Sequence, residues 1–276
     1  MISVVILTKN EEIDIVDCIR SVSWSDDVHV LDSCSTDKTV ELARAAGAHV
    51  HLRPFDNYAS QRNAGLQLPL KHEWMLFLDA DERCTEPLRE EICRVVSGDT
   101  GQNTAYRMHR HDYFLGRHLK RVMPSPTNIR LLKVGACRYE REVHERLAMD
   151  GEIGELQSYF DHFAFSKGVD NWFARHMHYS THEATAVASD MATSFFGAFA
   201  RIFKEKEKER RWKAIKQFTY RLPFRRHLKF FFMYVVKGGF MDGLPGLLYC
   251  QMLMVYERSV DLKIKYAELE ARLRKA

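Results

Sequence analysis

The segment Trp74-Met-Leu-Phe-Leu-Asp79-Ala-Asp81-Glu82 is the most informative part of the sequence, because a short apolar run ending in carboxylates is typical of a buried strand with a polar tip. In open α/β sheets, such tips lie at the edge where ligands bind. Carboxylates two residues apart are hard oxygen ligands that suit Mg²⁺ or Mn²⁺ holding a diphosphate. A solvated strand end is the alternative interpretation, since acidic residues are common there.

The residues around this strand repeat the pattern of a strand followed by a helix, which predicts a parallel sheet. Strands are predicted over the four apolar runs 2–7, 28–31, 49–52 and 74–78. Helical spacing predicts helices between and after them, with Ser35 or Thr36 capping the second, over 11–22, 36–46, 58–68 and 86–96. Beyond residue 100, antiparallel or mixed sheet is predicted from short alternating segments at 105–109, 112–115 and 128–133.

Polar side chains also follow the first two predicted strands. Thr8, Asn10 and Glu11 come directly after the first strand, and Asp32 ends the second, ahead of a helix N-terminus that favours anions. In the third helix, Arg62 is a cation able to reach a diphosphate. Each residue alone fits a helix cap or a surface ion pair. Their joint arrangement at successive strand ends indicates one ligand site.

The segments VVILTKNEE, VLDSCSTDKT, QRNAGL and LFLDADE, in this order and spacing, resemble the family 2 glycosyltransferases of the GT-A fold over roughly residues 1–165. The resemblance implies a Rossmann-like mixed sheet flanked by helices. It also implies inverting transfer of a sugar from a nucleotide diphosphate sugar, with a divalent cation, Mg²⁺ or Mn²⁺. Asp32 would contact the base, Arg62 the diphosphate, Asp79 the ribose, and Asp81 the metal. The donor-binding residues implied are Thr8, Asn10, Glu11, Asp32, Arg62 and Asp79.

An inverting transfer needs a general base on the face of the sugar opposite the leaving diphosphate. In Arg141-Glu-Val-His144-Glu145, the His-Glu pair resembles a segment of lipopolysaccharide-core members of the family. We expect Glu145 to be the base, with Arg141 and His144 on the acceptor side, although a cross-strand charge ladder is the alternative. His162 is expected as an additional metal ligand, with a half-buried structural histidine as the alternative.

From about residue 168 long helical patterns take over, which predicts a nucleotide-sugar-binding catalytic domain over 1–165 and a helical region over 166–276. The net charge of +4 is uneven, at −8 over residues 1–100, +1 over 101–200 and +11 over 201–276. Residues 201–230 mix twelve Lys/Arg with aromatic residues, which is typical of a surface resting on anionic lipid headgroups. Packing on the core or in a homo-oligomer is the alternative. RNA is disfavoured, since no recognition motif is present.

The six cysteines form no CxxC pair, the first residues do not resemble a leader peptide, and the longest apolar run covers only 230–236. A cytoplasmic protein without a transmembrane segment is therefore expected. The tail over 237–268 resembles enzymes of the bacterial lipopolysaccharide inner core. This resemblance implies transfer from UDP-glucose to a heptose of a lipid-linked phosphorylated acceptor, peripherally on the inner face of the inner membrane. A polyprenol-phosphate or other glycolipid or polysaccharide sugar transferase, or an inactive GT-A membrane scaffold, is the alternative.

Overall fold

The structure is a computed structural model that describes residues 1–98, 101–123, 125–140, 146–190, 195–205 and 207–274. Its contacts divide the chain into two units. The first unit comprises residues 1–118 and 125–166, and the second comprises 119–124 and 167–276. The sequence places a boundary at residue 165, and the roles that it assigns to the two parts stay a prediction.

One mixed sheet forms the framework of the first unit. Its parallel half has the order β3-β2-β1-β4, with strands β1 (Ser3–Thr8), β2 (Val28–Asp32), β3 (His49–Leu52) and β4 (Trp74–Asp79). Beyond β4 the sheet continues, first antiparallel, through β8 (Thr127–Lys133), β6 (Asn103–Phe114), β11 (Glu152–His162) and β5 (Glu82–Cys84). The short strand β7 (Arg117–His118) pairs with β6. A separate two-stranded sheet joins β9 (Cys137–Glu140) and β10 (Arg146–Met149).

Helices cover both faces of this sheet, because successive side chains of a strand point to opposite faces. Val4 and Ile6 of β1 pack with α1 (Ile15–Ser21), α2 (Thr39–Ala45) and α4 (Glu86–Ser97). Val5 points the other way, toward Phe77 and α3 (Tyr58–Leu66). In α3, a Cβ added at Gly65 would lie 2.8 Å from the Phe77 ring. Only glycine lets this helix approach the sheet so closely, and the same helix carries Arg62.

The mixed α/β sheet predicted from the sequence is confirmed, but α2 begins at Thr39 rather than at residue 36. The expected caps are wrong, because Ser35 and Thr36 bond to the neighbouring loop. The backbone N–H of Thr36 donates to Asn10 Oδ1 at 2.8 Å, while Asp37 Oδ1 accepts from the Thr39 N–H at 3.0 Å. Asp37 therefore satisfies the start of α2. The predicted strands 105–109 and 112–115 are parts of one strand, β6.

The second unit is helical. Its helices are α5 (Gly168–Asp190), α6 (Phe195–Lys204), α7 (Lys208–Thr219), α8 (Arg225–Phe231) and α9 (Gly243–Leu273), with a π-helix at Phe232–Val236 and a 3₁₀ helix at Gly239–Asp242. Helices α5 and α9 pack through Ala184, Val187, Val260 and Ile264. Asp242 accepts hydrogen bonds from the backbone N–H groups of Arg121 and Val122, which ties 119–124 to this unit. Across the described ranges, no helix combines the length and the apolar character that a bilayer span requires.

Candidate functional site

The loops that follow β1 and β2 are joined by hydrogen bonds at the carboxyl edge of the sheet. Lys9 Nζ donates to the carbonyl oxygens of Ser33 and Cys34 at 2.7 and 2.6 Å. The backbone N–H of Asn10 donates to Ser35 Oγ at 2.7 Å, and that of Glu11 donates to Thr39 Oγ1 at 2.7 Å. Asn10 has a φ of 54°, a left-handed conformation that asparagine tolerates better than most residues. The structure therefore brings the predicted residues Asn10 and Glu11 beside the tip of β2.

Asp32 and Thr8 lie on adjacent strands and pair with each other in the register of β1 and β2. Both are buried, and the carboxylate of Asp32 accepts from the backbone N–H and the hydroxyl of Ser35 at 2.7 and 2.5 Å. The Thr8 hydroxyl is buried without a hydrogen-bond partner among the described residues. These two predicted donor residues therefore share one polar strand end.

Asp79 shares a cation with a carboxylate that the sequence interpretation leaves without a role, Glu82. Arg130 Nη2 donates to Asp79 Oδ2 at 2.6 Å and to Glu82 Oε1 at 2.5 Å. The other oxygen of Glu82 accepts from the backbone N–H of Asp79 at 2.9 Å. The side chains of Glu82 and Arg130 are almost fully buried, whereas that of Asp79 is 39% exposed. Arg130 thus fixes the position of the Asp79 carboxylate, and part of this carboxylate remains accessible from solvent, as a ligand-binding group requires.

The charged groups around Asp79 and Glu82, together with burial, shift the pKa values of these two carboxylates in opposite directions. Burial acts to raise the pKa of Asp79, but the guanidinium groups of Arg130 and Arg62 outweigh it and lower this pKa to about 2. Burial raises the pKa of Glu82 to about 7, opposed by Arg130 and assisted by the charges of Asp79 and Asp81. Asp79 therefore stays ionised at neutral pH and keeps its pair with Arg130.

The variant Arg130→Leu is expected to lower the free energy of unfolding by about 3 kcal/mol, because it leaves two carboxylates without their buried cation. Urea unfolding followed by circular dichroism measures this loss. Arg138→Leu is the matched control, since Arg138 is 75% exposed in its ion pair with Glu140 and should change stability by less than about 0.5 kcal/mol. Equal losses in the two variants would contradict the assigned role of Arg130.

Arg62 lies against two neighbouring aromatic rings and beside Asp79. Its guanidinium carbon is 5.6 Å from the centre of the Phe77 ring and 5.5 Å from that of Tyr139, and Nη2 is 4.0 Å from Asp79 Oδ1. Together with Arg107 and Arg130 it lines a cavity of about 380 Å³, which Thr127, Asn128 and Leu147 also line. Three guanidinium groups around one cavity favour an anionic ligand. This position is compatible with the expected role of Arg62 near a diphosphate.

Asp81 and His162 face each other beyond the end of β4. His162 Nε2 is 3.5 Å from Asp81 Oδ2, and His162 Nδ1 is 2.5 Å from the buried carboxylate of Asp112. Burial lowers the pKa of His162, but its hydrogen bonds with Asp112 and Asp81 outweigh this effect and raise the pKa to about 9. Arg110 also contacts Asp112, with Nε 3.0 Å from Oδ1. The two residues expected to bind a metal are therefore adjacent, and Asp112 fixes the ring of the histidine.

A carboxylate oxygen and an imidazole nitrogen are both ligand types for divalent cations, so Asp81 and His162 would be able to hold such an ion once it displaces the proton that the raised pKa of His162 retains. The two atoms concerned, Asp81 Oδ2 and His162 Nε2, are 3.5 Å apart, close enough for both to contact one ion. A carboxylate on the far nitrogen of a metal-binding imidazole is the usual support for such a ligand. Across the part of the chain that the structure describes, no group of three or more His, Cys, Asp or Glu side chains is arranged to hold a metal. Phosphate oxygens commonly supply the remaining ligands of Mg²⁺.

The predicted base Glu145 and the acceptor-side residues Arg141 and His144 lie outside the described residues. Tyr139, before this segment in the chain, and Leu147, after it, both line the cavity of Arg62, Arg107 and Arg130.

Sequence reasoning missed Glu82, Arg130 and Asp112. A signal for Arg130 exists, because it is a charged residue within the apolar strand segment 128–133 and could be buried there only with a partner. Glu82 directly follows the Asp-Ala-Asp motif and could have been counted with it. Asp112 carries no comparable signal, since it becomes a neighbour of His162 only through the parallel pairing of β6 with β11.

The fold and the strand-end site are those of an α/β domain that binds its ligand at the carboxyl ends of a parallel sheet. Residues 3–138 match the model of glycosyl transferase family 2, and this part of the chain belongs to that family. The resemblance inferred from the sequence is thereby confirmed, together with the GT-A fold class, a mixed sheet flanked by helices with a C-terminal helical extension.

Similar proteins are found in bacteria. An uncharacterized glycosyltransferase of Rickettsia bellii is 39% identical over 118 residues, which cover 40% of each chain. The lipopolysaccharide core biosynthesis glycosyltransferase LpsC of Rhizobium meliloti is 28% identical over 165 residues, covering 57% of this chain and 60% of LpsC. The chain therefore spans less than two thirds of the length of these relatives. A glucosyl-3-phosphoglycerate synthase from Mycobacterium tuberculosis, solved with Mn²⁺, UDP-glucose and phosphoglyceric acid, gives a TM-score of 0.34 at 26% identity over 40% of this chain and 43% of that one.

Proposed function

We propose that the chain is an inverting glycosyltransferase that takes its sugar from a nucleotide diphosphate sugar. The observation that carries the proposal is the convergence of Asp32, Asp79 and Asp81 on the carboxyl edge of a sheet whose sequence belongs to glycosyl transferase family 2. Parallel strand tips at this edge are the usual ligand site of open α/β sheets.

The nucleoside half of the donor binds at the tips of β1 and β2 in this proposal. Asp32 accepts a hydrogen bond from the base, and Thr8, Asn10 and Glu11 border the pocket. Asp79 accepts from the ribose. It suits this role because Arg130 keeps it ionised and in place, while 39% of its side chain remains exposed. The cation of Arg62 then lies close to the diphosphate.

The transfer forms one glycosidic bond and breaks the bond between the anomeric carbon and the diphosphate oxygen. The acceptor hydroxyl oxygen attacks the anomeric carbon from the face opposite the diphosphate, the carboxylate of Glu145 takes the hydroxyl proton, and the nucleoside diphosphate leaves with the bonding electron pair. Attack from the opposite face inverts the anomeric configuration. Asp81 and His162 hold Mg²⁺ or Mn²⁺, which when bound offsets the negative charge that develops on the leaving diphosphate.

The proposed acceptor is a lipid-linked phosphorylated saccharide of the lipopolysaccharide inner core, with glucose from UDP-glucose transferred to a heptose. The similarity to LpsC supports this class of acceptor. An acceptor of this kind is embedded in a membrane, so the enzyme acts peripherally, on the cytoplasmic side of the inner membrane. The basic and aromatic residues of 201–230 are suited to an anionic lipid surface, and Arg141 and His144 belong to the acceptor side.

A donor screen by thermal shift tests this function. UDP-glucose with Mn²⁺ is expected to raise Tm by roughly 5 °C at a hundredfold excess over Kd, because a ligand that binds only the folded state stabilises it. GDP-mannose serves as the competing donor, and Asp32→Ala should remove most of the shift by losing the contact to the base. If no nucleotide sugar raised Tm with either Mg²⁺ or Mn²⁺, the result would contradict the enzyme proposal and favour an inactive GT-A membrane scaffold.

A further inference from the structure

The helical second unit contains a large apolar cavity that the proposed reaction does not use. It measures about 790 Å³ and lies among α5, α7, α8, α9 and the π-helix. Its apolar lining includes Trp212, Ile215, Leu222, Leu228 and Phe232. A cavity of this size matches the pockets that bind small molecules.

The mouth of this cavity exposes apolar surface that no described segment of the unit covers. Trp212 is 63% exposed, Leu228 is 52% exposed and Phe232 is 50% exposed. Exposed apolar surface concentrated at a cavity favours an apolar occupant. The carboxylates of the lining are paired, since Glu183 accepts hydrogen bonds from the hydroxyls of Tyr220 and Tyr256, and Glu257 pairs with Arg225 and Lys229. The walls therefore offer an occupant mainly hydrocarbon contact.

A second cavity of about 350 Å³ adjoins the first and is strongly basic. The two cavities share Tyr220, Leu222 and Arg225 in their linings. Five cations face two carboxylates in the second cavity, whose charged lining is Arg221, Arg225, Arg226, Arg258, Lys265, Asp261 and Glu268.

Counting Glu257, which pairs with Arg225 from outside this lining, three carboxylates oppose the five cations and leave an excess of two positive charges. Arg225 is buried, forms ion pairs with Glu257 and Asp261, and lies 4.0 Å from the centre of the Tyr220 ring. The Arg225 side chain is therefore held in place where it lines both cavities. Within the described residues, Arg226 and Arg258 form no ion pair, and a site lined by such cations attracts an anion.

We propose that the two cavities together bind one anionic amphiphile, with its phosphate headgroup in the basic cavity and a hydrocarbon chain in the apolar cavity. A purely apolar peptide or a second copy of this chain would fill the apolar cavity but leave the cations beside it unmatched. An inorganic anion would leave the apolar mouth exposed. An amphiphile matches both features, and it binds independently of any nucleotide sugar.

Alkyl phosphates below their micelle concentration test this site on the full chain. Binding of n-octyl phosphate is expected to shift the emission of Trp212 to the blue, since the other described tryptophans are less exposed. Affinity should rise roughly fourfold for each methylene from n-hexyl to n-octyl phosphate. Inorganic phosphate and n-octyltrimethylammonium are the comparison probes, and each should bind at least about tenfold more weakly.

Two surface variants separate the halves of the site. Arg226→Glu combined with Arg258→Glu is expected to weaken n-octyl phosphate about thirtyfold or more, whereas Arg272→Glu on the same helix as Arg258 should leave it unchanged. Leu228→Asp should weaken binding about tenfold or more, whereas Leu262→Asp, at a site of similar exposure, should not.

Three results would overturn the proposal. Equal affinity for inorganic phosphate would reduce the site to an anion site, and equal affinity for n-octyltrimethylammonium would reduce it to an apolar groove. Concentration-dependent dimers in analytical ultracentrifugation that Leu228→Asp abolishes, with no alkyl phosphate binding, would assign the groove to a second copy. A donor thermal shift measured in parallel stays intact in all three cases if the glycosyltransferase proposal is correct.

Discussion

Replacing Asp81 with alanine is expected to lower kcat/KM for sugar transfer about 10³-fold, while the free energy of unfolding stays close to that of the wild-type chain. The rate falls because Asp81 and His162 are the proposed cation ligands, and the charge developing on the leaving diphosphate would lose its counter-charge. Stability changes little, although the Asp81 side chain is only 19% exposed, because Asp112 keeps its contact with His162 Nδ1 at 2.5 Å when Asp81 is removed. Initial rates with UDP-glucose and Mn²⁺ measure the first effect, and urea unfolding measures the second.

A binding measurement separates loss of the cation from loss of turnover. Free Mn²⁺, followed by electron paramagnetic resonance in the presence of UDP, should stay high with Asp81→Ala and fall with the wild-type chain. Asp17→Ala on the surface of α1, where the side chain is 63% exposed, is the control and should change neither rate nor Mn²⁺ binding. Wild-type turnover by Asp81→Ala would contradict the proposed role of Asp81 as a metal ligand, but it would not affect the family assignment.

The sequence predicts the parallel half of the sheet well, because the buried strands β1 and β4 appear as continuous apolar runs and the partly exposed edge strand β3 follows in the same alternation of strands and helices. The predicted strand 49–52 coincides with β3, and the predicted strand 74–78 differs from β4 by one residue. The predicted second helix starts three residues too early. Thr36 bonds to Asn10 from the preceding loop, and that partner is 26 positions away in the chain.

The rest of the fold depends on contacts that local patterns do not encode. No strand is predicted over 152–162, because β11 mixes glycine and acidic residues and gains its place by pairing with β6 and β5. The segment 119–124 belongs to the helical unit because Asp242 accepts from its backbone, across more than a hundred residues of chain. Turn-rich sequence alone gives no indication of that attachment.

The candidate site follows the same division. Asp32, Asp79 and Asp81 are found from the sequence because each lies at or beside the tip of a strand with an obvious apolar pattern. Arg130 and Glu82 hold Asp79, and Asp112 holds His162, from positions whose importance depends on which strands become neighbours. The sequence therefore predicts the candidate ligand-binding groups, and the sheet order identifies the residues that hold two of the predicted site residues, Asp79 and His162, in place.

Glu145→Gln is expected to lower kcat by about 10² to 10⁴-fold, since glutamine keeps the size of the side chain but takes no proton from the acceptor hydroxyl. The thermal shift produced by UDP-glucose and Mn²⁺ should stay at its wild-type value, because the base acts on the acceptor. The pH profile of kcat/KM should also lose its acidic limb, which reports a base in the free enzyme. Glu140→Gln, with a 44% exposed side chain paired to Arg138, is the control and should leave all three measurements unchanged.

The three measurements distinguish the competing interpretations of the segment around Glu145. A charge ladder predicts that Glu145→Gln lowers the free energy of unfolding by about 0.2–1 kcal/mol and leaves kcat near its wild-type value. A donor-site role predicts a smaller thermal shift with UDP-glucose and an increased KM for the donor. Only a general base predicts a large loss of kcat together with an unchanged donor shift.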